Sequence, residues 1–108
     1  MNMIQFEWDN FKNRLNIAKH KVSFEEASTV FYDTNAILFD DPSHSMSEER
    51  FLILGLSRKA RICIVSHCYR KNDEVIRIIS ARRATKSEID YYNGREGVKW
   101  KKNTTSRN

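Results

Sequence analysis

Residues 77–88 of the chain run Arg-Ile-Ile-Ser-Ala-Arg-Arg-Ala-Thr-Lys-Ser-Glu. The first half has the apolar content of a buried strand, and Thr85 followed three residues later by Glu88 is a capping box that begins a helix. Burying an arginine costs free energy unless a partner compensates its charge. A strand that carries Arg77 and Arg82 therefore indicates that these side chains serve an ion pair or a functional site.

Two further strands precede this one, at about residues 49–56 and 61–69. They are joined at residues 57–60, and residues 71–73 turn the second into a third strand over residues 74–81. Short turns between successive strands predict an antiparallel meander.

The first forty residues predict two strands and two helices. Apolar and polar residues alternate over residues 3–8, and a helix from Asp9 or Asn10 to about His20 carries Phe11, Leu15 and Ala18 at helical spacing. A capping box at Ser23 begins a second helix over residues 24–32, and a short strand follows at residues 36–39. The order β-α-α-β-β-β-β-α predicts an α+β fold, a small antiparallel sheet with helices on one face.

Length and composition favour one domain with a basic surface. We expect a single domain over residues 1–92 and a polar, basic tail over residues 93–108 around Trp100. The net charge is +5 and the sequence pI about 9.4, which favours polyanionic partners.

The cysteines and the apolar runs predict a location in the cytoplasm. Cys63 and Cys68 lie five apart in one predicted strand, so they face opposite sides roughly 16 Å apart and do not form a disulfide. The first residues lack the pattern of a signal peptide. The longest apolar run, residues 51–56, is far too short to cross a membrane.

Four separated blocks of sequence resemble one known family. They are Phe6-Glu7-Trp8-Asp9, Lys19-His20-Lys21-Val22-Ser23-Phe24-Glu25-Glu26-Ala27, Glu48-Glu49-Arg50-Phe51, and residues 77–88. In this order they resemble the BrnT toxins of bacterial type II toxin–antitoxin pairs, over about residues 4–92. Lys21 departs from the family, which usually has glycine after the histidine.

The resemblance implies a RelE-like fold and a function. It implies a metal-independent endoribonuclease that cleaves RNA and so inhibits translation and growth. It also implies a cognate antitoxin, a BrnA-like ribbon-helix-helix DNA-binding protein, which would neutralise the toxin in a 2:2 complex and carry it to operator DNA.

RNA cleavage without a metal needs three things around one phosphate: removal of the 2′-OH proton, stabilisation of added negative charge, and protonation of the leaving oxygen. The arginines suit the second task, and a histidine or tyrosine the others. The candidate catalytic residues are His20, Arg61, Arg77, Arg82 and Tyr91. The candidate RNA-binding residues are Lys19, Arg58, Lys59 and Arg83, of which Arg83 follows Arg82 where the last helix begins and attracts anions.

Each candidate also has a structural explanation. Arg77 and Arg82 face opposite sides of a straight strand and converge only if the strand bends, and Arg77 could pair with Glu7 or Asp40 instead. The basic residues 58–61 could be a solvated hairpin tip, and His20 could be a helix cap.

The remaining candidates leave a second function open. His67 alternates with apolar residues as a core histidine does, and no histidine or cysteine spacing fits a metal, so we predict no metal or cofactor.

The alternative function is a non-catalytic module that binds nucleic acid or protein as a subunit of a transcriptional autorepressor.

Overall fold

The structure, a computed structural model, describes residues 3–42 and 48–94. The elements are β1 (Gln5–Glu7), α1 (Asn10–His20), α2 (Phe24–Thr29) continued by a 3₁₀ turn (Val30–Tyr32), β2 (Ile37–Asp40), β3 (Phe51–Leu56), β4 (Ile62–Arg70), β5 (Val75–Arg83) and α3 (Lys86–Tyr92). The predicted order and the α+β class are confirmed. Most of the predicted tail, including Trp100, lies outside the described residues.

The five strands form one sheet in the order β1-β5-β4-β3-β2. Strands β2 to β5 are antiparallel neighbours, as the short turns predicted, but β1 pairs with β5 in parallel. The prediction of an antiparallel sheet was therefore wrong for this pair. Because β1 and β5 are far apart in sequence, no hairpin fixes their relative direction.

Helix α2, the residues before it and the 3₁₀ turn after it cover one face of the sheet. Val22, Phe24, Ala27 and Val30 pack there, and all four are fully buried or nearly so. The strands contribute Ile53, Cys63, Val65, Ile78 and Ala81 to the same cluster. We call this side of the sheet the core face.

A β-bulge interrupts β5. Ser80 lies opposite Ser66, whereas Ile78 lies opposite the next residue of β4, His67, so that Ile79 is an extra residue. Ile78 and Ala81 consequently both reach the core although they are three apart. The bulge shifts the alternation by one residue, and Arg77 and Arg82 both point away from the core.

Helix α3 contacts the opposite side of the sheet. Arg82, which lies opposite Ile64, pairs with Glu88 of α3, and the Tyr91 ring lies 5.9 Å from that of Phe39 in β2. The prediction of helices on one face holds for α1 and α2, while α3 packs on the far face. The ion pair of the outward-pointing Arg82 with Glu88 holds the helix on that side.

Helix α1 is anchored by polar side chains. Asn16 is buried and accepts from the backbone N–H of Ala81 (3.1 Å) while donating to the carbonyls of Ala81 and Val22 (both 2.8 Å). It thereby satisfies the backbone groups of Ala81 on the edge of β5 that β1, which pairs only with residues 75–77, does not reach. The apolar residues Phe11 and Leu15 face outwards instead, at 59% and 54% exposure.

The turn after α1 is left-handed. Lys21 has a φ of 61°, its N–H donates to the Ile17 carbonyl, and its Nζ donates to the Ala18 carbonyl at 3.0 Å. This is the conformation that glycine adopts most easily at a helix end. The lysine therefore makes a turn of the kind that glycine favours at a helix end.

Candidate functional site

The turn between β3 and β4 is fastened to α2. The Ser57 hydroxyl donates to Glu26 Oε2 (2.7 Å), and the Arg58 N–H donates to the Thr29 hydroxyl (2.8 Å). Arg61, which follows the turn, donates to the carbonyl of Lys21 after α1. The turn's exposed side chains, Arg58 and Lys59, therefore stand at the same end of the molecule as the link between α1 and α2. They form the tip of the hairpin, and the hydrogen bonds of the turn to Glu26 and Thr29 hold it against α2.

Arg61 forms an ion pair with a buried carboxylate. Its guanidinium donates to both oxygens of Glu26, whose side chain is 1% exposed, and to the Lys21 carbonyl (2.8 Å). Burial works to raise the pKa of Glu26, but the hydrogen bonds from Arg61 and Ser57 outweigh it and lower the pKa. Arg61 thus joins β4 to α2 and to the turn after α1.

Further cations lie at the same end of the molecule as this pair. Arg83 lies opposite Cys63, on the core face, and its charge acts on that thiol together with those of Glu26 and Arg61. Burial raises the pKa of Cys63 to about 11, so it is a thiol and not a nucleophile. We call the following residues the basic end: Lys19, His20, Lys21, Arg58, Lys59, Arg61 and Arg83.

His20 is half-buried within the basic end. It occupies the last turn of α1, between Lys19 and the left-handed Lys21. Within residues 3–42 and 48–94, no hydrogen bond or ion pair engages its ring. The ring is therefore available to a bound molecule.

Arg77 and Arg82 lie on the far face, each paired with an acid. Arg77 donates to Glu7 (3.0 Å), one of the two partners considered from sequence. Arg82 donates to both oxygens of Glu88 at 2.9 and 3.0 Å, and these hydrogen bonds are the main reason that the pKa of Glu88 is lowered. Because Arg61 points to the core face, one phosphate cannot contact Arg61 and Arg77 directly.

Glu88 also occupies the start of α3. Its carboxylate accepts from the Thr85 N–H (2.9 Å) and completes the predicted capping box. A carboxylate thus already lies at the helix start that was expected to attract a phosphate.

The two tyrosines of α3 have structural contacts. Tyr91 packs on Phe39, and the Tyr92 hydroxyl donates to Asp33 (2.6 Å). Burial, followed by this contact with Asp33, raises the pKa of Tyr92 to about 12. Asp33 also accepts from the Leu56 N–H (2.8 Å), so Tyr92 ties α3 to β3.

A depression of about 730 Å³ lies at the other end of the sheet, between Glu48, Phe51 and Tyr69. None of the residues predicted from sequence lines it. Among residues 3–42 and 48–94, no group of three or more His, Cys, Asp or Glu side chains is arranged to hold a metal ion. None of the described helices is both long and apolar enough to span a membrane.

His67 is a core residue, as its alternation with apolar residues indicated. Its Nδ1 lies 3.1 Å from the Val65 carbonyl, which can only accept, so Nδ1 carries the proton. The buried Nε2 has no partner among the described residues, and the rings of Phe31, Phe51 and Tyr69 surround it. Burial lowers the pKa of His67, against the smaller effect of the Val65 contact.

We expect acid to destabilise the protein through His67. Below the ordinary value of 6.5, the unfolded chain binds a proton that the folded chain does not, so stability is full above that pH and is lost as the pH falls. The slope should approach about 1.4 kcal/mol per pH unit. Urea denaturation from pH 7.5 to 5 measures it, and His67→Phe should remove this part of the slope. An unchanged slope would contradict the assignment.

Comparisons with known proteins complete the description of the site. Residues 8–88 match the family model described as "Ribonuclease toxin, BrnT, of type II toxin-antitoxin system". The chain belongs to the BrnT family. The crystal structure of the Brucella abortus ribonuclease toxin BrnT is similar, with a TM-score of 0.60 and 23% identity, covering 78% of this chain and all of that one. No curated protein sequence matches significantly.

Membership confirms the resemblance drawn from the four blocks. The chain is a ribonuclease toxin of a type II toxin–antitoxin system, and such a system includes an antitoxin partner. The match to the Brucella BrnT structure supports the fold. The roles of individual residues stay predictions.

This BrnT chain divides the predicted site residues into two groups. The basic end brings together His20 and Arg61 with Lys19, Arg58, Lys59 and Arg83. The far face carries Arg77, Arg82 and Tyr91. Arg82 nevertheless lies at the same end of the sheet as Arg83, its neighbour in sequence, whose carbonyl accepts from Arg82 Nη1 at 3.2 Å.

Sequence reasoning missed Glu26, on which the basic end is built. It was noticed as part of a capping box with Ser23 and within the block from Lys19 to Ala27, but not as a site residue. In the structure Ser23 does accept from the Glu26 N–H (3.0 Å), but the carboxylate turns to Arg61 and Ser57. A glutamate inside the apolar pattern of α2 was the available signal.

Proposed function

We propose that this toxin is a metal-independent endoribonuclease that binds and cleaves RNA at the basic end. The observation that supports this most strongly is the half-buried His20, whose ring has no hydrogen bond or ion pair among the described residues and which lies at the same end of the molecule as several exposed cations. Arg58, Lys59 and Lys19 would bind the RNA backbone, since exposed cations attract phosphates whatever the sequence. Cleavage of cellular RNA would inhibit translation and growth.

The positions of the residues at the basic end suggest which catalytic role each would have. Arg83 is exposed and has no ion pair in the described part of the chain, so it can neutralise the charge that develops on the phosphate. His20 would move a proton to or from a ribose oxygen. Arg61 would stay paired with Glu26. Because that carboxylate neutralises most of its charge, Arg61 would stabilise the phosphate less than Arg83 does.

Arg82 would complete the site from the far face. To reach a phosphate it must exchange Glu88 for the ligand. A partly exposed ion pair contributes only about 1 kcal/mol, so an RNA phosphate can compete for it. Arg77 and Tyr91 would then bind a part of the RNA that extends over the far face, away from the reacting phosphate.

We further propose that the antitoxin is a BrnA-like ribbon-helix-helix protein. It would bind two toxins in a 2:2 complex in the cytoplasm and link them to operator DNA, so that the toxin contacts DNA only indirectly. The pI of about 9.4 supports a polyanionic or acidic partner.

The test is incubation of purified toxin, freed of antitoxin, with end-labelled RNA in EDTA. Cleavage would support a metal-independent ribonuclease. RNA that is bound but left intact, with or without added Mg²⁺ and ribosomes, would support instead the non-catalytic module.

Arg82 and Glu88 can be tested as a pair. We expect Arg82→Ala to lower cleavage by about 10- to 100-fold, because it removes a cation at the phosphate. Glu88→Gln keeps the shape of the side chain and releases the arginine, so cleavage should stay equal or rise a few fold. If both variants lose stability equally and cleave like the wild type, the pair is structural only. Lys86→Ala, in the same helix, is the control.

A further inference from the structure

Helix α1 has an unusual orientation of its apolar side. Phe11, Leu15 and Ala18 are all exposed, and at 3.6 residues per turn they lie within about 60° of one another around the helix. A surface helix normally turns such a stripe to the core. Phe11 and Leu15 are 59% and 54% exposed, which makes the stripe a continuous apolar ridge.

The opposite side of α1 holds the helix in this orientation. Asn13 Oδ1 accepts from the Phe24 N–H (2.8 Å), and Asn16 makes its three hydrogen bonds to Val22 and Ala81. Turning the stripe inwards would break these bonds and leave buried backbone groups unpaired. The stripe therefore stays outside in the folded protein.

Cations line both sides of the stripe. Lys12 and Lys19 lie about 80° to 100° to one side of Phe11, and Arg14 lies about 60° to the other, with its guanidinium carbon 5.7 Å from the Phe11 ring. All three are exposed, and the helix contains no acidic residue. A partner that covers the stripe must present apolar side chains flanked by acids.

We infer that this stripe binds an amphipathic, acid-flanked helix of the antitoxin. The inference rests on the toxin–antitoxin pairing in the proposed function but not on the cleavage chemistry. Apolar ridges fit grooves made by partner helices, and charge complementarity selects the partner.

Charge disfavours the two other occupants. A second copy of the toxin would bring two sets of Lys12, Arg14 and Lys19 together. The chain's own residues 95–108 carry five cations and one acid, a net +4, and so would also meet like charge. Like charges that face each other across an interface are costly.

The test compares two leucines of equal exposure. Leu15 in α1 and Leu38 in β2 are each 54% exposed. Binding of the purified cognate antitoxin to the full-length toxin is measured by calorimetry for Leu15→Glu and Leu38→Glu. We expect Leu15→Glu to raise the Kd about 100-fold and Leu38→Glu to change it less than 3-fold, with RNA cleavage by both free variants unchanged.

A second variant tests the charges. Lys12→Glu should weaken antitoxin binding about 10-fold and make it less sensitive to salt. Equal affinity of Leu15→Glu and the wild type would overturn the inference. So would a fall in the molecular mass of the free toxin on gel filtration with Leu15→Glu, because the stripe would then join copies of the toxin. Absence of RNA cleavage by the wild type would instead count against the proposed function alone.

Discussion

Replacing His20 with glutamine will lower the kcat for RNA cleavage by about 10²- to 10⁴-fold, the usual contribution of a proton-transfer group. Glutamine keeps polarity and approximate size but cannot give or take a proton at neutral pH. Because no hydrogen bond or ion pair of the ring is found among residues 3–42 and 48–94, the urea midpoint should change little. Single-turnover cleavage of a short end-labelled RNA gives kcat and KM separately, and KM should stay within a few fold.

The adjacent Lys19→Gln is the matched control. It removes a charge from the same turn of α1 without removing an acid or base, so it should raise KM several fold and leave kcat nearly unchanged. If His20→Gln cleaves at the wild-type rate, the histidine takes no part in proton transfer. If both variants change only KM, the basic end binds RNA but the proton-transfer groups lie elsewhere.

Replacing Arg61 with alanine will lower the free energy of unfolding by about 3–5 kcal/mol, because it leaves the Glu26 carboxylate buried without its cation. Urea denaturation at pH 7 measures this loss. Any fall in cleavage should be corrected for the folded fraction. A remaining loss after correction would show that Arg61 also acts on the phosphate.

Acid provides an internal check on this ion pair. The pKa of Glu26 is lowered in the fold, so the pair stabilises the protein above the ordinary carboxyl value of 4.5 and the effect is lost as the pH falls through the folded value. The difference in the free energy of unfolding between the wild type and Arg61→Ala should therefore become smaller in acid. Arg58→Ala, an exposed neighbour, should stay within about 0.5 kcal/mol of wild type. A similar loss in both variants would contradict the special role of Glu26.

Local patterns predicted the elements of this fold well. Asp9 does cap α1, accepting from the N–H groups of Phe11 and Lys12, and Thr85 with Glu88 forms the full capping box. These signals act over two or three residues, so the sequence contains them directly. The meander followed similarly from its short turns.

Contacts between distant residues were not readable in this way. The direction of β1 beside β5 depends on the path of all the residues between them. The bulge at Ile79 depends on the pairing of β5 with β4. That bulge is why Arg77 and Arg82 share a face, although spacing alone places them on opposite faces.

The site was predictable in part for the same reason. Residue types and net charge pointed to a basic surface, and residues 19–20 and 58–61 do lie at one end of the molecule. Their arrangement depends on Glu26, Ser57 and Thr29, which no spacing rule connects to them. The outward side of α1 was equally hidden, because Phe11, Leu15 and Ala18 give a helical pattern whichever way they face.

The amide of Asn16 has a consequence for the toxin when it is not held by its antitoxin. An open strand edge can recruit a strand from another molecule and start a fibre. At Ala81, where β1 no longer covers β5, Asn16 fills both backbone positions that an incoming strand would use. The Asn16 amide thus takes the hydrogen bonds that a neighbouring strand would make. A toxin without its antitoxin is therefore less able to pair with another copy at this edge.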